Sequence, residues 1–204
     1  RVFEDAELKI LIDAVASSKF IPEEESRSLI TRLAGMTGPE ESRKLCSHVC
    51  VVGRVKSQNY CALENAEVIN QAIEEKRQIS FQYSDYNTDK KRVLRHDGQF
   101  YFVSPYTLVW DGDYYYVIGF NEDKKTVENF RVDRIWKHCV MLEEESSAVP
   151  DYANLSDYLK RTFQMFSADR STYVDLICQR ETMKFLIDKF GESVETTKID
   201  EESF

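Results

Sequence analysis

The sequence predicts an α+β protein in three parts. These are a helical region over residues 1–76, a small antiparallel β-barrel or strongly bent sheet over 77–145, and an α+β segment over 151–204. Three observations carry this reading. Apolar residues recur at helical spacing through the first sixty-odd positions, the period changes to two at Ile79, and a further helical stripe appears after Pro150.

The elements follow in chain order. Phe3, Leu8, Leu11, Ile12 and Val15 recur as on one face of an amphipathic helix, which Ser17 and Ser18 interrupt. Pro22 before Glu23, Glu24 and Glu25 starts a second helix, with proline in its first turn and carboxylates facing the positive end of the helix dipole. Thr37-Gly38-Pro39-Glu40-Glu41 ends that helix and starts a third. The β-branched residues between His48 and Val55 suggest a short extended segment, and Val68, Ile69, Ala72 and Ile73 mark the side of another helix. Ile79-Ser80-Phe81-Gln82-Tyr83 then alternates as a half-buried strand does. Further strands are expected at 92–95, 100–103, 107–110, 114–120, 126–132 and 137–142, with turns at Asp97-Gly98, Asp111-Gly112 and Asn121-Glu122-Asp123. In the last part, Tyr158, Leu159 and Phe163 suggest a short helix, and Val174, Leu176 and Cys178 a strand. Met183, Leu186, Ile187 and Phe190 form a helical stripe ending at Gly191, at the C′ position that favours glycine. A chain opening on Arg-Val-Phe and ending on Glu-Glu-Ser-Phe reads as a fragment of a longer protein.

Composition narrows the function. The net charge of −9 argues against a protein that coats nucleic acid with its whole surface. The charge is unevenly spread: residues 77–138 hold 10 Lys+Arg against 9 Asp+Glu, leaving 17 against 27 elsewhere, so a locally basic site fits the central segment. No apolar run approaches the roughly 18 residues of a membrane span, and no basic-then-apolar leader opens the chain, so a cytoplasmic protein without membrane contact is expected. Five cysteines without framework spacing read as reduced thiols. Cys46, His48, Cys50 and Cys61 lack the paired Cys-x2-Cys spacing of structural zinc sites, so they read as buried small hydrophobes, with no metal or other cofactor expected. Glycine-rich phosphate loops, Gly-x-Ser-x-Gly elbows and His-Glu-x-x-His pairs are missing, which argues against an enzyme.

The segments Ile79–Tyr83, Ser104-Pro105-Tyr106, Tyr115–Phe120 and Phe130-Arg131-Val132-Asp133-Arg134-Ile135, in order and spacing, resemble the WYL domain of bacterial transcriptional regulators. The family's Trp-Tyr-Leu triplet falls on Tyr115-Tyr116-Val117, where only the central Tyr is kept. The N-terminal helices resemble the linker that follows a helix-turn-helix domain in these regulators, and Asp188-Lys189-Phe190-Gly191 resembles part of their C-terminal extension. The resemblance implies an SH3- or Sm-like barrel that binds single-stranded nucleic acid or a nucleotide. It also implies a homodimer, and promoter DNA bound only through a helix-turn-helix domain outside this sequence. A second function implied by the family is a protein-interaction module acting on a nucleic-acid-processing or defence effector.

The candidate ligand residues are Tyr83, Arg92, Arg95, His96, Tyr106, Tyr115, Arg131 and Arg134. Lys90, Lys91, Arg92, Arg95 and His96 form the densest basic run, either a solvated hairpin edge or, for the arginines, donors to phosphate oxygens. Strand alternation turns Phe130 and Val132 inward and Arg131 outward, placing Arg131 for a ligand, while Arg134 either joins it or pairs with Asp133. Tyr83, Tyr106, Tyr115 and Tyr116 are either stacking platforms for bases or barrel core, and Tyr115 and Tyr116 must face opposite ways. His96, beside a turn, is either a phosphate contact or simply exposed.

Overall fold

The computed structural model describes residues 3–47, 55–150 and 174–204. The extended segment expected between His48 and Val55 lies almost wholly outside the described residues, and the helix expected around Tyr158 lies wholly outside them. The chain forms two compact units, Arg1–Ser167 and Ala168–Phe204.

In the first unit, the first three described helices are α1 (Asp5–Ser17), α2 (Glu23–Ala34) and α3 (Pro39–Ser47). The Glu7 carboxylate accepts the Glu4 N–H at 2.8 Å, which satisfies one orphan donor at the start of α1. Pro22 caps α2 from just outside it rather than within its first turn, where a missing N–H costs nothing. Leu8 and Ile12 of α1, Ala34 of α2 and Leu45 of α3 form a small core with Ile30 and Leu33 against it. The next helix, α4 (Ala62–Glu74), belongs to a different core. Its Ala62, Ala66, Ile69 and Ala72 lie against Ile79, Phe81, Val103, Val117 and Ile135 of the sheet. Small residues on that face let helix and sheet approach closely. The division after residue 76 therefore falls between a helix and the strand it packs on.

Six strands follow: β1 (Arg77–Tyr86), β2 (Arg92–Leu94), β3 (Phe100–Asp111), β4 (Tyr114–Asn121), β5 (Thr126–Arg131) and β6 (Ile135–Glu145). All pairings are antiparallel, in the order β2-β1-β3-β4-β5, with β6 on β1 as well. The expected barrel is corrected to a six-stranded sheet that is not closed. A short 3-10 turn, Val132–Arg134, lies between β5 and β6, and no ladder joins those two strands among the described residues.

Two further differences have local causes. The strands expected at 100–103 and 107–110 are one strand, because Pro105 sits at a bulge: it pairs with Gly119, while Thr107 pairs with Ile118, leaving Tyr106 unpaired. Gly119 makes this crossing possible, since a Cβ there would lie 2.5 Å from the Ser104 carbonyl oxygen. The Asp97-Gly98 turn does not join neighbouring strands either. Ser84 pairs with Leu94 and Gln82 with Phe100, so Arg95–Gly98 is a four-residue excursion from a path that otherwise runs along β1.

In the second unit, the strand expected over Val174–Cys178 is absent. Val174 and Leu176 are 70% and 68% exposed, and among the described residues the only pairing in this unit is a bridge between Gln179 and Ser203, flanked by hydrogen bonds between Cys178 and Phe204. A helix, α5 (Met183–Phe190), ends at Gly191, whose φ of 82° and ψ of 170° are open to glycine but lie outside the left-handed helical cap.

Candidate ligand site at an arginine cluster

The far end of β1 collects the arginines. Ser84 Oγ, on β1, accepts a 2.6 Å hydrogen bond from Arg92 Nε on the adjoining β2. Arg92 Nη2 then donates to the carbonyl oxygens of Asp133 and Ile135, each at 3.1 Å, and its guanidinium lies 5.2 Å from the centre of the Trp136 ring. From the segment before α4, Asn59 Nδ2 donates to the same two carbonyls at 3.1 and 2.9 Å. The 3-10 turn Val132–Arg134 is thus held from two sides. Burial lowers the pKa of Arg92, though from so high a value that it stays charged at neutral pH.

Arg131 ends β5 with Phe130 and Val132 turned inward, 4% and 0% exposed. It forms a bidentate pair with Asp133, Nε to Oδ1 at 3.1 Å and Nη2 to Oδ2 at 2.8 Å, and its Cζ stands 3.4 Å over the Tyr114 ring. Burial opposes its charge, but the hydrogen bonds and charge of Asp133 outweigh that and raise its pKa. Asp133 therefore pairs with Arg131 and not with Arg134. Arg134 instead faces Asp85 Oδ1 at 3.9 Å, and Arg95 faces Asp85 Oδ2 at 3.7 Å. Both separations exceed a hydrogen bond. Arg95 also covers Tyr83, its Cζ 5.7 Å from the ring centre.

Four guanidinium groups and two carboxylates, a local charge of +2, thus gather on a chain whose net charge is −9. They fall into two kinds. Arg92 and Arg131 are built into the fold, whereas Arg95 and Arg134 share one carboxylate at long range and stand 47% and 36% exposed.

The structure brings together Tyr83, Arg92, Arg95, Arg131 and Arg134. Tyr83 is 4% exposed, packed among Phe81, Tyr101 and Phe130, and its hydroxyl accepts the Arg131 N–H at 3.0 Å. Burial pushes it up to about 12. It is core and offers no open face to a base, so its expected stacking role is replaced by support for Arg95 and Arg131. His96 is exposed one residue from Arg95, its ring centre 5.9 Å from that of Tyr101. His96, Asp97 and Gly98 have φ of 48°, 53° and 82°, three left-handed residues in succession. Beside them the Tyr101 hydroxyl is buried without a hydrogen-bond partner among the described residues. Tyr106 and Tyr115 lie apart from the cluster. The Tyr106 hydroxyl donates to the Ala148 carbonyl at 2.9 Å, and the Tyr115 ring packs edge-on to Phe20 and Trp110.

Sequence reasoning missed Asp85, Ser84, Tyr114 and Asn59. Only Asp85 left a signal: strand alternation puts it on the same face as Phe81 and Tyr83. The cysteines also depart from expectation. Cys139 is buried, but Cys46 is exposed and Cys61 and Cys178 are half-buried, while His48 and Cys50 lie outside the described residues.

Comparison with known proteins places a WYL domain at residues 64–140, from within α4 into β6. Among solved structures, the chain is similar to proteasome accessory factor B/C (PafBC) of Arthrobacter aurescens. The identity is 22% and the TM-score 0.37, and the match covers 74% of this chain and 22% of that one. The chain thus spans about a fifth of that protein's length. No curated protein sequence matches.

Proposed function

We propose that the WYL domain here is the sensing part of a transcriptional regulator, which binds single-stranded nucleic acid or a nucleotide through its arginine cluster. The observation that carries the reading is the concentration of four guanidiniums at one end of β1 on an otherwise acidic chain. Arg95 and Arg134 meet the phosphate oxygens. Arg92, Arg131 and Asp133 fix the 3-10 turn from which Arg134 projects, and arginine's planar fork suits phosphate better than a lysine would. Occupancy draws Arg95 and Arg134 away from Asp85. The Asn59 contact passes that change to the segment leading into α4 and so toward a helix-turn-helix domain elsewhere in the regulator, with a homodimer as the working assembly. No catalytic step is required.

The test is binding of a short fluorescent single-stranded oligonucleotide, beside a duplex of the same sequence. The single strand is expected to bind more tightly, and the Arg95→Ala/Arg134→Ala variant to weaken it at least tenfold. Equal binding of wild type and double variant removes the cluster as the site.

A further inference from the structure

Away from the arginines, three metal-ligating side chains converge where the chain enters α4. Cys61 immediately precedes the helix, Glu64 lies in its first turn, and His138 is on β6. Their donor atoms all lie within 4.8 Å of one another. Cys61 Sγ is 3.8 Å from His138 Nε2, and His138 Nδ1 is 3.6 Å from Glu64 Oε2. The two ring nitrogens therefore face different partners. A tetrahedral zinc ion, with Zn–S about 2.3 Å and Zn–N about 2.0 Å, sets its sulfur and nitrogen ligands about 3.5 Å apart. The observed separation needs only a few tenths of an ångström of adjustment. A carboxylate on the far ring nitrogen is the arrangement that orients a metal-bound imidazole.

The backbone under these groups is fixed by two asparagines. Asn59 Oδ1 accepts the Cys61 N–H at 3.0 Å. Buried Asn65 brackets His138, donating to the Lys137 carbonyl at 2.9 Å and accepting the Cys139 N–H at 2.8 Å. Lys137 itself has a φ of 59°, a kink in β6 that Asn65 holds. The electrostatics ask for a cation. Glu64 and Glu25 place negative charge around Cys61, and Glu25 Oε2 is buried without a hydrogen-bond partner among the described residues.

We propose that Cys61 and His138, with Glu64 behind the imidazole, form a binding site for a divalent transition-metal ion of the zinc type. Cys61 Sγ and His138 Nε2 are the protein ligands and Glu64 the positioning residue. Thiolate and imidazole together select zinc or cobalt over magnesium or calcium. The ion fastens the entry of α4 to β6, two residues from the Asn59 that holds the 3-10 turn, and this holds whether or not the arginines bind an anion.

The experiment is a cobalt(II) titration of the whole 204-residue chain, read by the near-ultraviolet thiolate-to-cobalt charge-transfer band and the visible bands of four-coordinate cobalt, followed by displacement with zinc. One equivalent is expected to bind. Cys61→Ser should abolish the charge-transfer band, His138→Gln should weaken binding at least tenfold, and Glu64→Gln should weaken it about 10- to 100-fold. Cys46→Ser/Cys50→Ser should leave the band in place. Near-ultraviolet circular dichroism checks that the variants fold, and His138→Gln decides the matter if Cys61→Ser does not. Absence of a thiolate band in the wild type, its survival in Cys61→Ser, or its loss in Cys46→Ser/Cys50→Ser would overturn the proposal.

Discussion

Arg92 and Arg131 each direct two nitrogens at partners within the chain, whereas Arg95 and Arg134 face Asp85 from beyond hydrogen-bonding distance. Substitutions should separate these roles. Asp133→Ala removes both acceptors from a guanidinium only 21% exposed, and is expected to lower unfolding stability by about 2 kcal/mol in urea titrations. Arg134→Ala is expected to cost under about 0.5 kcal/mol, since exposed pairs at such distances contribute little. Glu122 supplies a pH-dependent term. Burial alone would raise its pKa, but hydrogen bonds from Ser104 and Ser147 and the Lys125 charge lower it overall. A carboxylate depressed in the folded state stabilises it fully above the unfolded value, about 4.3, and that stabilisation disappears as pH falls through the lower folded value. The melting temperature of Glu122→Gln should therefore depend less steeply on acidification than that of the wild type. The outward direction of Arg131 was legible in strand alternation. Its partner was not, because the aim of Asp133 is set by a 3-10 turn that no periodicity announces.

At the level of elements, alternation located strands wherever one face is buried. Ile79, Phe81 and Tyr83 read correctly because they alternate into the apolar core, although Ser80 and Ser84 of the same strand are buried as well. The reading failed where chain punctuation is absorbed within the sheet: Pro105 suggested a break, yet the strand continues by leaving Tyr106 unpaired opposite Gly119. Gly119→Ala should then be destabilising by about 2–3 kcal/mol, since the added methyl group meets the Ser104 carbonyl and Val103 and neither is free to yield. Thermal unfolding checks this, and an unchanged midpoint would mean that the bulge relaxes. In the C-terminal unit, the alternation of Val174, Leu176 and Cys178 misled because a periodic stretch becomes a strand only where a partner pairs with it.

For the whole molecule, the sequence separated helices from sheet but not one core from the other. α4 reads like another linker helix, and only packing shows that it completes the sheet while α1, α2 and α3 enclose their own interior. Among the described residues, no helix is long and apolar enough to cross a membrane. The charge asymmetry, visible in composition alone, sets a measurable quantity. Single-strand binding loses about 0.7 in the logarithmic salt slope for each phosphate neutralised. Contact through Arg95 and Arg134 alone predicts a slope of about −1.4, and engagement of all four arginines about −2.8. Fluorescence anisotropy across a salt series distinguishes them, and a flat response would exclude phosphate contact.

The excursion Arg95–Gly98 has a consequence for how such a site diversifies. Because β2 and β3 pair with the same strand on either side of it, residues can be added to or removed from the loop without shifting any ladder. The segment carrying Arg95 and His96 is thus uncoupled from the sheet in length, and a descendant could lengthen its reach toward a larger ligand by insertion there alone. For the same reason it is the natural place to graft a reporter peptide.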